Sequence, residues 1–311
     1  MTYLRKTRGR GWLAKTGTAL FLVFVGGAAR ADTPVHESRN VAADAKIAIH
    51  NVKGEVRVSG WDQNRVQIDG TLGSGARPLQ IGGDAHLLTI RVESANPSSG
   101  WFGRGDSNMG PSMLDVHVPR TAALSVDVVS APVSVEALSG PEIDINTVSG
   151  RVHLATRTDV VHVGSVSADV ELAGSARKFD VQTVSGDVQA ALLNGSANAQ
   201  TVSGDIALRG GALTQVDLGT VSGKVQLDAG VAPAAAWKIE TMSGDVRIGL
   251  PANASAQIKA DTFSGDLHSD IGAPTRGNGP GSHLGVKLGA GSGTISIDSF
   301  SGNVRIEHGT H

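Results

Sequence analysis

Along residues 180–200, DVQTVSGDVQAALLNGSANAQ, apolar or small side chains alternate with polar ones in two short runs divided by a Ser-Gly pair. Val181, Thr183 and Ser185 share one face of the first run, and Val188, Ala190 and Leu192 share one face of the second. Each run therefore predicts a strand with one buried side. The parity changes across Ser185, Gly186 and Asp187. A bend or bulge adding one residue would turn both apolar sets into a single interior.

The same pattern recurs. VVSAPV (128–133), TVSGRV (147–152), SVSADV (165–170), TVSGDV (183–188), TVSGDI (201–206), TVSGKV (220–225), TMSGDV (241–246), TFSGDL (262–267) and SFSGNV (299–304) align on the small residue after the Ser. Steps between these positions are 19, 18, 18, 18, 19, 21, 21 and 37 residues, the last predicting one long coil or two ordinary ones. A period near twenty, too short for two helices, predicts a β-solenoid whose coils bury their faces only by stacking. Coils about 4.8 Å apart would pair strand on strand and satisfy the backbone, around an interior thin enough to favour Ala190 and Thr183. Because Ala131 and Ala168 take the place that Gly holds elsewhere, smallness is the firmer demand there and a left-handed backbone the weaker one.

Before the repeats, KIAIHNVKGEVRVSGW (46–61), NRVQIDGTL (64–72), HLLTIRVES (86–94) and MLDVHVPR (113–120) alternate without the Ser-Gly motif. They predict irregular first coils or a small β-domain on the end of the rod, and we take the stretch as continuous with the rod, where it would cover an open strand edge. The expected organisation is thus a leader over 1–31, a β-rich N-terminal portion over 32–120, and solenoid repeats with a C-terminal coil over 121–311.

Composition agrees with an all-β reading: of 311 residues 41 are Gly and only 4% are aromatic. Arg5, Lys6, Arg8, Arg10 and Lys15, the apolar run ALFLVFV (19–25) and the A-x-A sequence Ala29-Arg30-Ala31 predict a secretory signal, its core too short for the ~20 residues of a membrane span. Its removal takes away six basic and no acidic residues and moves the formal charge from −2 to −8. A mildly acidic chain without a long Lys/Arg run is a poor nucleic-acid binder. With no cysteine, disulfides, thiolate metal sites and a lipid-modified cysteine are excluded.

Candidate chemistry is sparse. After the small residue runs a column of Arg151, Asp169, Asp187, Asp205, Lys224, Asp245, Asp266 and Asn303, which is either a calcium ladder or a set of corner side chains capping turn amides. The RTX calcium repeat is absent, which favours capping. GRGDS (103–107) lies in SSGWFGRGDSNMGPS, whose composition predicts a loop. Its Arg-Gly-Asp resembles an integrin-binding tripeptide, and Trp101, Phe102, Arg104 and Asp106 are the candidate partner-contact residues. His153 and His162 show no metal spacing, and neither H-E-x-x-H nor G-x-S-x-G occurs. No catalytic residue, metal ligand or cofactor is therefore expected.

GEVRVSGWDQNRVQIDG (54–70), LDVHVPRTAALSVDVVSAPVSVEALSG (114–140), the T-x-S-G-D-V repeats, LPANASAQIKADTFSGD (250–266) and GSGTISIDSFSGNVRIEHG (291–309) together resemble the bacterial extracytoplasmic "putative adhesin" class, a domain of unknown function. The resemblance covers nearly all of the chain after the leader. It implies a β-solenoid with an adhesin-like role and brings no catalytic residues. The expected function is a non-enzymatic rod, in the periplasm or at the cell surface, that meets an envelope protein, a surface polymer or a copy of itself. The competing expectation is a polysaccharide-active β-helix enzyme, which would need a localised acid/base pair and aromatic platforms. Here the carboxylates are spread evenly and the chain has one Tyr and four Trp, one of them in the leader.

Overall fold

In each coil the chain runs inward-outward in twos, bends at a corner, and returns in register with the coil before it. A computed structural model describes residues 32–95, 109–276 and 280–309, and Asp32–His311 forms one unit. The leader residues 1–31, and with them the expected cleavage site, lie outside the described residues. So do Trp101, Phe102, Arg104 and Asp106.

At the N-terminal end are β1 (Thr33–Asn40), β2 (Lys46–Trp61), β3 (Arg65–Leu72), β4 (Gln80–Gly83), β5 (Leu87–Val92), β6 (Ser112–Pro119), β7 (Ala123–Ser130) and β8 (Val133–Glu136). The regular coils use β9 (Glu142–Ala155), β10 (Arg157–Leu172), β11 (Ser175–Gln182), β12 (Val188–Thr201), β13 (Ile206–Thr220), β14 (Val225–Thr241) and β15 (Val246–Leu250). They are followed by β16 (Ala256–Thr262), β17 (Leu267–Ser269), β18 (Ser282–Leu288), β19 (Gly293–Ser299) and β20 (Val304–His308).

From β7 to β15 the coils stack in parallel one repeat apart, as in Val181↔Ala199 and Val188↔Ile206. The described residues contain no helix, and the fold is an all-β solenoid. Between the sheet faces lies a continuous apolar interior, with Val163, Val181, Ala199, Leu218 and Ile239 buried in adjoining coils.

At both ends spatial order departs from chain order. The coil of β2 sits between β5/β6 on one side and β7/β8 on the other, all parallel. The end is closed by antiparallel strands, β3 on β6, β1 on β3 and β4 on β5. Correspondingly, β19/β20 insert between β14/β15 and β16/β17, and β18 runs antiparallel on β16. The 37-residue step is therefore neither one long coil nor two consecutive ones. The chain runs past its place, turns back through β18, and fills the gap with its last coil. Antiparallel outer strands cover what would otherwise be bare parallel edges.

Two expectations about inward faces need correction. Ser185 is exposed and Gly186 takes the inward place, so the extra residue of the bend falls at the Val184-Ser185 pair. Leu192 is 63% exposed and Leu193 is buried in its stead. The cause is a left-handed backbone at Leu192, φ 57°, which breaks the alternation at the second corner.

Candidate interaction surface

The repeated corner sorts its residues into columns. The first position of the motif is buried at Thr147, Thr183, Thr201, Thr220, Thr241, Thr262 and Ser299, and half-buried at Ser165. Its hydroxyl can cap the bend, as where the Gly186 N–H donates to Thr183 Oγ1 at 3.2 Å and the Gly204 N–H to Thr201 Oγ1 at 3.0 Å. The Gly column brings backbone against backbone. A Cβ on Gly204 would stand 2.0 Å from the Gly186 carbonyl oxygen, and one on Gly223 2.0 Å from that of Gly204. Of the motif glycines only Gly150 has positive φ, at 133°, and it lies beneath Ala168, one of the two alanines in the column. Close approach is thus the general demand.

The column after Gly caps amides of the neighbouring coil. Asp169 Oδ1 accepts from the Asp187 N–H, Asp187 Oδ1 from the Asp205 N–H at 2.9 Å, and Asp205 Oδ1 from the Lys224 N–H at 2.7 Å. Asp245 Oδ1 accepts from Asn303, and Asn303 Oδ1 from the Asp266 N–H. Among the described residues no group of three or more His, Asp or Glu side chains is arranged to hold a metal ion.

The variable position x points outward in every coil. Val129, Val148, Val166, Val184, Val202 and Val221 are each 43–47% exposed, and Met242, Phe300 and Phe263 are 50–58% exposed. Backbone bonds fix their order: the Val184 N–H donates to Val166 O, Val202 to Val184 O, Ser222 to Val202 O and Ser243 to Val221 O. The series continues with Ser301 to Met242 O and Ser264 to Phe300 O. Nine apolar side chains therefore form a ridge spanning eight coil steps of about 4.8 Å each, near 38 Å. Sequence reasoning missed the ridge, although the letters Val, Met and Phe at x carried the signal.

Where the ridge turns aromatic, a groove of about 660 Å³ runs beside it. One wall is Val221, Met242, Phe300 and Phe263, and the other is Gln200, Gly219, Glu240, Asp298 and Asp261, with Pro280 also in the lining. Glu240, Asp298 and Asp261 occupy register-equivalent positions on adjacent strands. Lys238 Nζ donates to Glu240 Oε2 at 2.8 Å, which raises the lysine above its ordinary 10.5. Burial pushes the Asp261 carboxyl up, but the hydrogen bond and charge of His283 and Lys259 outweigh it and hold the group below 3.8. Asp298 accepts from Ser296 Oγ at 3.1 Å and, among the described residues, makes no ion pair, although its charge reaches Lys238.

His153 and His162 face outward beside an acid one coil away, Glu171 at 3.2 Å and Asp180 at 3.5 Å.

A family model described as Toastrack DUF4097 matches residues 44–307. The chain belongs to that family. Toastrack DUF4097 is a domain of unknown function, and no curated protein matches the chain. Among solved structures, a "putative adhesin" from Bacteroides fragilis is 14% identical, with 89% of this chain and 98% of that chain covered and a TM-score of 0.45. One from Parabacteroides distasonis is 10% identical over 89% and 97% of the two chains, TM-score 0.34. A "putative lipid binding protein" from the same organism is 10% identical over 88% and 96%, TM-score 0.34.

Proposed function

We propose that this Toastrack DUF4097 protein is a non-enzymatic, adhesin-like interaction protein of an extracytoplasmic compartment. It presents the Val129–Phe263 ridge to an envelope or extracellular partner. The ridge carries the reading: contiguous exposed apolar surface of this extent marks a contact site on a soluble protein, and a stacked fold offers it along its whole length. The extracytoplasmic assignment is supported by the leader pattern. No described helix is long and apolar enough to cross a membrane. Catalysis by a general acid would call for a raised carboxyl, whereas among the described residues the carboxyls that depart from their ordinary value, Asp69, Asp84 and Asp261, are lowered. The segment with Trp101, Phe102, Arg104 and Asp106 is a second proposed contact.

Affinity capture from envelope extracts tests both contacts. The triple variant Val184→Thr, Val202→Thr, Val221→Thr is expected to lose the captured species, and equal capture would remove the ridge from consideration. The pair Trp101→Ala, Phe102→Ala tests that segment in the same way.

A further inference from the structure

We infer that the groove at the aromatic end of the ridge is a docking site for an extended peptide segment of alternating apolar and basic residues. This deepens the ridge reading and rests on it. The acidic wall comes from the penultimate residue of each strand and the apolar wall from the first residue beyond its end, positions i and i+2, so the walls stand about 6.6 Å apart. That strip is narrower than the 10–12 Å of a helix but suits one extended chain. In such a chain successive side chains point to opposite sides, so alternation would send apolar groups to Met242, Phe300 and Phe263 and cations to Glu240, Asp298 and Asp261.

Charge selects the occupant. Three carboxylates stand side by side, a destabilising arrangement when unpaired. Lys238 pairs with Glu240, and Lys259 and His283 with Asp261, while Asp298 between them makes no ion pair among the described residues and feels only the longer-range charge of Lys238. A cationic side chain would complete the row. An anionic lipid surface would meet the same carboxylates and be repelled, and a second copy of the groove would set acid against acid. Gly219 brings no side chain to the acidic wall, and the Gln200 amide lies across it, donating to Asp217 Oδ1 at 3.1 Å. The aromatic wall is built for contact: Phe263 and Phe300 hold each other by stacking yet stay half exposed.

The test titrates the purified protein with fluorescently labelled Lys-Leu-Lys-Leu-Lys-Leu and with Glu-Leu-Glu-Leu-Glu-Leu, followed by anisotropy, and with anionic and zwitterionic phospholipid vesicles, followed by co-sedimentation. The lysine peptide is expected to bind and the glutamate peptide not. Asp298→Asn should weaken binding about threefold and flatten its salt dependence, and Phe300→Ser about tenfold. Both side chains are exposed, and an unchanged melting midpoint checks that the variants fold. Gln226→Ala, exposed and part of neither ridge nor groove, should bind as the parent does. Equal binding of the two peptides, or no effect of Asp298→Asn, would overturn the inference, and vesicle binding that depends on Phe300 would replace it with a lipid surface. If envelope capture depends on Val184, Val202 and Val221 while the lysine peptide fails to bind, the groove inference falls and the ridge reading stands.

Discussion

Phe263 and Phe300 lie ring on ring, 5.0 Å between centroids and 8° from parallel, and the later residue belongs to the inner coil. The pair joins two coils whose order along the rod is the reverse of their order along the chain. Phe300 N–H donates to Thr241 O and Phe263 N–H to Ser299 O, so the inserted coil is bonded on both sides. The same device places β2 between coils that follow it in sequence. Each solenoid end therefore holds its outlying coil through a strand from elsewhere in the chain, which resists fraying better than an unpaired terminal coil would.

Deleting residues 291–311 should consequently do more than shorten the rod by one coil. With β19 and β20 gone, β16 loses its parallel partner and keeps only the antiparallel pairing with β18, and β17 keeps no paired strand among the described residues. Hydrogen exchange should show protection lost across Ala256–Thr262 as well as across the open side of Val246–Leu250. Undiminished protection in Ala256–Thr262 would mean that the coil order is not as described.

Leu192 offers a stabilising change. Its backbone is left-handed, φ 57°, and its side chain is largely in solvent. A left-handed non-glycine residue costs roughly 1–2 kcal/mol, partly offset by the greater freedom of an unfolded glycine. Leu192→Gly is expected to raise stability by about 1 kcal/mol, measured by urea denaturation. A decrease would show that the exposed leucine makes a contact worth more than the strain.

Gly204 tests the stacking column. A Cβ there meets a carbonyl oxygen of the coil below at 2.0 Å, and a backbone group cannot rotate away as a side chain can. Ala168 shows that one methyl is tolerated where the underlying glycine takes positive φ, as Gly150 does. Gly204→Ala should therefore destabilise by about 1–3 kcal/mol, the range for forced overpacking. The β-branched Gly204→Val should prevent the coils from closing, read as loss of the cooperative thermal transition. Equal midpoints for the two would contradict close approach as the reason for glycine.

The spacing of the Ser-Gly pairs was enough to read a solenoid, because stacking forces a common coil length and that length is visible in one dimension. Smallness at Gly186 and the one-residue bend were legible for the same reason. Three features were not. Leu192 breaks the alternation through a backbone angle that no side-chain pattern announces. The insertions of β2 and β19/β20 defeat the assumption that neighbouring coils are consecutive. His153 and His162 seemed unaccompanied because their acids lie 18 residues on, one full coil away. The ridge was hidden differently: strict alternation from Thr183 turns Val184 outward, but its letter changes among Val, Met and Phe from coil to coil while the recurring Ser and Gly carry the repeat.

Acid should weaken the C-terminal end in a way that Asp261 controls. Its carboxyl is held below 3.8 in the folded protein, where the hydrogen bond to His283 and the charges of His283 and Lys259 outweigh the opposing effect of burial. A carboxyl lowered on folding stabilises the native state fully above its unfolded value. That contribution disappears as pH falls from about 3.8 through the folded value. Asp69 follows the same sign at the other end, lowered by the hydrogen bond from Gln67 at 2.7 Å and then by His36. Melting midpoints measured between pH 5 and pH 2 should fall for the parent protein, and fall less steeply for Asp261→Asn and for Asp69→Asn. In the double variant the two flattenings should add, because the groups sit at opposite ends of the solenoid and share no partner. A parent curve that does not descend below pH 4, or variants that track it throughout, would show that these pairs contribute nothing to folding.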